Sequence, residues 1–96
     1  MINNISFTSD YKVKFKSEIQ KPSKKQKKKE ENYHKFQRCC EKLAYGMEGV
    51  LFSAEDFSDD KTRKGTITLH VQDNLDSIVE SYLLYNNIKF KKVNNK

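Results

Sequence analysis

The amino-acid sequence predicts the α+β fold class, because segments with a period of two alternate with segments whose period matches an α-helix. Near the N-terminus, apolar side chains occupy alternate positions, with lysines between several of them. Farther along, two segments carry apolar residues at spacings of three and four. A chain of 96 residues has room for one hydrophobic core, so we expect a single domain spanning residues 1–96.

The first predicted strand covers residues 5–15 and has one apolar face. Its predicted inward side consists of Ile5, Phe7, Ser9, Tyr11, Val13 and Phe15. Lys12, Lys14 and Lys16 fall on the opposite side of the strand. Because Ser9 and Asp10 interrupt the apolar pattern, we expect a bulge or a weak turn there, and we favour one continuous strand over two short ones.

Residues 17–29 predict a flexible or partly helical segment, because they contain the only proline and are rich in lysine. The lysine run consists of Lys24, Lys25, Lys27, Lys28 and Lys29. Ser23 and Gln26 have the spacing of a capping box, but lysines in a first helical turn oppose the helix macrodipole. We therefore expect the stable helix to begin near Glu30, whose charge suits a helix N-terminus.

An amphipathic helix follows, with its apolar side formed by Tyr33, Phe36, Cys40, Leu43 and Met47. Gly46 or Gly49 offers a left-handed stop. Cys39 lies one step off the apolar side, so we expect it to be an accessible thiol. Neighbouring cysteines cannot form an unstrained disulfide, so we expect both thiols to be reduced, as in the cytosol.

The second half of the chain predicts a hairpin, a second helix and a last strand. The predicted segments are a strand at 49–54, a polar loop at 55–64, a strand at 66–71 and a strand at 88–93. Between the last two strands, Asp73 is expected to cap a helix that Asn86 and Asn87 end. Its predicted core positions are Leu75, Ile78, Val79, Tyr82 and Leu83.

The order of elements is strand, helix, strand, strand, helix, strand. This order is typical of a ferredoxin-like sandwich, in which a four-stranded antiparallel sheet carries both helices on one face. The other sheet face would then be free and polar. RNA-recognition domains share the order but place aromatic rings on the third strand. Here Thr66 and Thr68 occupy those positions, which argues against a base-stacking platform.

The charge distribution predicts a cationic surface. Residues 1–47 contain 12 basic and 5 acidic residues, a net charge of +7, whereas the remainder contains 7 and 8, a net charge of −1. Such asymmetry suggests a surface for nucleic acid, for an anionic membrane surface or for an acidic protein, although a solvated lysine run is the simpler interpretation. The candidate binding residues are Lys12, Lys14, Lys16, Lys24, Lys25, Lys27, Lys28, Lys29, Arg63 and Lys64. With only two arginines in the chain, binding should be non-specific and salt-sensitive.

No set of residues in the sequence predicts catalysis, a metal or a cofactor. His34, Cys39 and Cys40 lack metal-ligand spacing, and we expect His34 to face solvent. The acidic residues between 55 and 60 lack the spacing of a calcium loop and suit turn chemistry instead. A metal-dependent nuclease that uses Asp56 or Asp59 remains as a minor alternative.

These observations predict a non-enzymatic binding protein, an inhibitor or adaptor that docks on nucleic acid or on a nucleic-acid-associated complex. The alternative is a homodimer that assembles through the open sheet face. The sequence shows neither an apolar run long enough to span a membrane nor a secretory signal, so we expect a cytoplasmic protein. The excess of Lys and Asn over Arg suits an AT-rich bacterial or phage genome.

Overall fold

Four strands form one antiparallel sheet with two helices in the computed structural model, which describes residues 7–94. The elements are β1 (Phe7–Glu18), α1 (Lys24–Gly46), β2 (Val50–Ser58), β3 (Thr62–Gln72), α2 (Asp76–Tyr85) and β4 (Lys91–Asn94). The strands lie side by side in the order β2-β3-β1-β4, and every neighbouring pair is antiparallel. The predicted α+β class is confirmed.

One hydrophobic cluster joins both helices to the inward side of the sheet. Its members are Tyr11, Val13, Phe15, Tyr33, Phe36, Cys39, Cys40, Leu43, Val50, Ile67, Leu69, Val71, Val79, Leu83 and Ile88. The inward residues of β1 and β3 alternate with more exposed ones, as the period of two requires. Burial of this apolar surface is the main stabilising contribution to the fold.

Strand β1 is continuous, as predicted, but the irregularity lies before Ser9 and Asp10, because the register with β3 shifts between Phe7 and Ser9 and leaves Thr8 as an extra residue. The extra residue reverses the alternation. Phe7 pairs with Gln72 and lies 6.0 Å from the His70 ring, on the polar side of the sheet. Its predicted place on the inward side was therefore wrong. Ile5, also assigned to that side, lies outside the described residues.

Helix α1 begins at Lys24, earlier than the predicted start near Glu30. The capping box explains the difference, because the Gln26 backbone N–H donates to Ser23 Oγ at 3.1 Å and the Ser23 backbone N–H donates to Gln26 Oε1 at 3.0 Å. These two bonds satisfy helix-end donors and outweigh the unfavourable interaction of lysines with the macrodipole. The lysine run is therefore part of the helix.

The hairpin of β2 and β3 is longer than predicted, and its loop is much shorter. Pairing continues from Val50 with Val71 to Ser58 with Arg63, so most of the predicted loop 55–64 belongs to the two strands. The outer part of this hairpin, residues 55–64, carries polar side chains on both faces, so it lacks the apolar alternation that indicates a strand. Its two strands are nevertheless paired through their backbones. The predicted turn chemistry is confirmed, because Asp59 Oδ1 accepts from the backbone N–H groups of Lys61 and Thr62 at 2.9 and 2.7 Å.

Replacing Asp59 with alanine should destabilise the hairpin tip, whereas Asp60→Ala is the matched control. The two backbone N–H groups lower the pKa of Asp59. The ordinary pKa of an aspartate is about 4. The stabilising contribution of Asp59 is therefore fully present above about pH 4 and is lost as the pH falls through its lowered pKa. Hydrogen exchange of the amides in residues 58–62 measures this effect. Equal exchange in the two variants would contradict the role of Asp59.

The second half of the chain differs from the prediction at three points. Asp73 makes no side-chain cap; it begins a 3-10 turn, Asp73–Leu75, and α2 starts after it. Ile78, predicted to lie in the core, is instead 56% exposed. The last strand begins at Lys91 rather than at residue 88, although Ile88 is buried. The predicted stop is confirmed, since Asn87 has a φ of 58°.

Candidate anion-binding groove

A groove of about 570 Å³ runs between the N-terminal half of α1, the middle of β1 and the segment that precedes β4. We call it the lysine groove. Its charged lining consists of Lys12, Lys14, Lys25, Lys28, Lys29, Lys35, Lys89 and Lys91, together with Glu31. Val13, Asn32, Asn87 and Phe90 complete the lining. The groove is therefore strongly cationic, with a single acidic side chain in its lining.

The helical period explains why these lysines line the groove. Steps of three and four residues lead back from Phe36 through Asn32 and Lys29 to Lys25, so these residues share one side of α1. This side is apolar and buried from Phe36 onward, but it is cationic in the first turns. Because burying several ammonium groups in an apolar layer is very costly, the first turns border an open groove instead of extending the core.

A free strand edge forms part of the groove. Strand β1 pairs with β3 over nearly its whole length, whereas β4 pairs only with Ser9 to Lys12. Within the described residues, β1 therefore has no strand partner on its β4 side from Val13 onward. The chain before β4 is held against α1 instead, because Asn32 Nδ2 donates to the Lys89 carbonyl and the Lys89 N–H donates to Asn32 Oδ1, both at 2.8 Å.

Within the described part of the chain, the groove lysines form no ion pairs. The ion pairs there join Arg63 to Glu30 and Lys92 to Asp76 and Glu80, and the rings of His34 and His70 lie against Glu30 and Asp10. None of them includes a lysine of the groove. Lysines four residues apart on α1 also repel one another. This arrangement costs stability in the free protein and favours the binding of an anion.

The structure brings together half of the predicted binding residues and separates the others. Lys12, Lys14, Lys25, Lys28 and Lys29 line the lysine groove. A neighbouring groove of about 860 Å³ shares Lys14, Lys25 and Lys29 and extends to Lys16 and Lys64. Lys24 and Lys27 line neither groove. Arg63 forms an ion pair with Glu30 and borders a smaller cavity.

Three lysines of the groove were absent from the sequence prediction. Lys35 lies seven residues after Lys28, about two turns farther along the same side of α1, so the helical period indicates it. Lys89 and Lys91 reach the groove through tertiary contacts, including the two hydrogen bonds between Asn32 and Lys89. No local pattern in the sequence indicates such contacts.

The sheet face opposite the core is mainly polar. On this face, β1 and β3 pair Lys12 with Thr68, Lys14 with Thr66 and Lys16 with Lys64. His70 Nδ1 lies 2.8 Å from Asp10 Oδ1 at one end of this face. Two large apolar side chains of the outer strand, Leu51 and Phe57, are 57% and 52% exposed. The centre of the face thus lacks the aromatic rings that a base-stacking platform requires.

The carboxylates considered for a nuclease have structural partners. Tyr33 Oη donates to Asp56 Oδ1 at 2.5 Å, and Asp59 accepts within the hairpin turn. A Cβ at Gly65 would lie 2.5 Å from the Tyr33 hydroxyl oxygen, so glycine is needed for this contact. In residues 7–94, no group of three or more His, Cys, Asp or Glu side chains is arranged to hold a metal ion. His34 is exposed, as predicted.

Two buried tyrosines should make stability decrease at alkaline pH. Burial, followed by the charge of Asp76, raises the pKa of Tyr11, while burial and the bond to Asp56 raise that of Tyr33. The folded state holds both protons more tightly than the unfolded chain does, so this stabilising contribution is lost as the pH rises above about 10. Chemical denaturation across this range should show a shallower loss in the Tyr11→Phe, Tyr33→Phe double variant. An unchanged slope would contradict the effect.

Both cysteines are free and buried. Cys40 lies on the apolar side of α1 as expected, but the predicted accessibility of Cys39 was wrong. Cys39 is 7% exposed and borders a small cavity together with Tyr82 and Asn86. Burial raises the pKa of both thiols, which opposes formation of the reactive thiolate.

The fold and the groove define an α+β protein with a cationic groove. Within residues 7–94, neither helix has the length and apolar character needed to cross a bilayer. Comparisons of the chain with protein-family models, with curated proteins and with solved structures found no match.

Proposed function

We propose that this chain is a non-enzymatic binding protein that holds an anionic macromolecule in the lysine groove. In this proposal it acts as a cytoplasmic inhibitor or adaptor, and its target is nucleic acid or an acidic surface of a nucleic-acid-associated complex. The observation that carries the proposal is the convergence of eight lysines and one glutamate on a single groove. These lysines come from separate parts of the chain, so local composition alone does not explain the arrangement.

The energetics support binding of a multiply charged partner. A single exposed ion pair contributes at most about 1 kcal/mol, so one carboxylate or phosphate would bind weakly. A polyanion contacts several lysines at once and releases the counterions around its own charges, which makes association favourable at low salt. The groove lysines also attract such a partner over a distance of about 8 Å at physiological salt, which increases the association rate.

The experiment measures binding of two fluorescent probes, a single-stranded oligonucleotide and a polyglutamate chain, at salt concentrations between about 50 and 200 mM. At least one probe should bind at low salt, and its affinity should fall steeply. For an oligonucleotide that contacts five lysines, log K should fall with log salt at a slope of about −3.5. If neither probe binds at the lowest salt, the proposal is wrong.

The ferredoxin-like architecture is also proposed. The strand order β2-β3-β1-β4 and the antiparallel pairing support it, as does the shared cluster of the two helices. In such an architecture the helices cover one sheet face, and binding partners use the opposite face, the edges or the helix ends. The lysine groove lies at a helix end and a strand edge.

A homodimer is the second candidate function, because Leu51 and Phe57 leave apolar surface on the outer strand β2. A dimer through this strand and the polar sheet face should sediment at twice the mass of one chain. Replacing Leu51 and Phe57 with threonine should then restore the monomer. A wild-type monomer at high protein concentration would exclude this candidate.

A further inference from the structure

We infer that the lysine groove binds an acidic peptide segment in extended conformation, which pairs with the free edge of β1 as an added strand. This inference rests on the proposed function and specifies its partner as a protein segment. It combines two observations on one surface, the free backbone edge and the uncompensated lysines.

The free edge supplies the main-chain contacts. From Val13 to Ser17, β1 has no partner on its β4 side within the described residues. Asn32 holds the Lys89 backbone against α1, so the segment before β4 does not cover this edge. A strand edge offers alternating N–H and C=O groups, and an extended peptide satisfies both kinds of group by strand addition.

The lysines determine the charge of the added strand. Successive side chains of an extended peptide point to opposite sides of the sheet. On one side they approach Lys25 and Lys29 of α1, and on the other they approach Lys12 and Lys14, which are directed away from the core. Acidic side chains therefore meet lysines on both sides. The β1 edge of a second copy would bring lysines against lysines, so repulsion opposes that pairing.

The same edge distinguishes a peptide from nucleic acid. Phosphodiester groups accept hydrogen bonds but donate none, so a nucleic-acid strand leaves the β1 carbonyl groups in this groove without donors from its phosphates. Peptide N–H groups provide those donors. The observations therefore favour an acidic protein segment as the occupant, and they make nucleic acid the alternative outcome of the test.

The test uses a synthetic peptide of repeating Glu-Glu-Val-Val units, which places Glu on both sides of an extended strand. The control is a peptide of the same sequence with every second backbone nitrogen methylated. The control keeps all charges but loses donors along one edge. We expect the parent peptide to bind to the full chain and the methylated peptide to bind roughly tenfold more weakly or worse, as loss of two or three hydrogen bonds requires. Equal affinities would overturn strand addition.

Matched protein variants locate the site. Lys25→Gln with Lys29→Gln should weaken binding of the parent peptide, whereas Lys24→Gln with Lys27→Gln removes the same charge from the same helix outside the groove and should have little effect. If a single-stranded oligonucleotide binds with this lysine dependence and the peptide does not, the inference fails while the proposed function stands. If neither ligand binds, both fail.

Discussion

Replacing Phe36 with alanine should destabilise the fold by about 3 to 5 kcal/mol. Phe36 is fully buried at the junction of the cationic and apolar parts of α1, and it belongs to the cluster shared with β1, β3 and α2. Its loss leaves a cavity in addition to the lost apolar burial. Because small domains are stable by only about 5 to 15 kcal/mol, this variant should be partly unfolded or should unfold at much lower denaturant concentration.

Tyr45 provides the control in the same helix, because its side chain is 96% exposed. Tyr45→Ala should change the free energy of unfolding by less than about 0.5 kcal/mol. Urea denaturation followed by circular dichroism measures both variants. Similar losses in the two would show that α1 does not pack on the sheet through Phe36.

Removing three groove charges should weaken binding of the anionic probe by about 10- to 100-fold, as expected for several partly exposed charge contacts. The variant replaces Lys25, Lys28 and Lys29 with glutamine. It should fold at least as stably as the wild type, because the substitutions relieve repulsion between lysines four residues apart. Fluorescence anisotropy at low salt measures the affinity, and urea denaturation checks the fold.

The control variant replaces Lys24, Lys27 and Lys42 with glutamine. The control also loses three positive charges from α1, but none of its substituted lysines lines the lysine groove. If net charge alone attracted the probe, both variants would lose the same affinity. A much larger loss in the groove variant indicates that the positions of the lysines matter.

Local patterns predicted the parts of the fold that depend on neighbouring residues. The alternation in β1 predicted a strand and the three-and-four spacing around Phe36 predicted a helix, because each pattern places apolar side chains on one side of a single element. The start of α1 differs from the prediction because the capping box of Ser23 and Gln26 stabilises a helix start that the macrodipole disfavours. The outer parts of β2 and β3 were predicted as a loop because they pair through their backbones and carry polar side chains, as in the pair Glu55 and Thr66.

The candidate site was only partly predictable because it combines a local feature with tertiary ones. Lys25, Lys28 and Lys29 are visible in the sequence as a charge run, and the helical period places Lys25 and Lys29 on one side of α1 and Lys27 on another. The free edge of β1 depends on how short β4 is, and that depends on the bonds between Asn32 and Lys89. Such non-local contacts leave no periodic pattern in the sequence.

Chemical-shift mapping of backbone amides during titration with the bound anionic probe tests the lysine groove most directly. We expect the largest changes in residues 13–17 and 25–35, with smaller ones near Lys89. Changes confined to Leu51, Phe57 and the polar sheet face, or spread evenly over all exposed lysines, would contradict a binding site between the start of α1 and the free edge of β1.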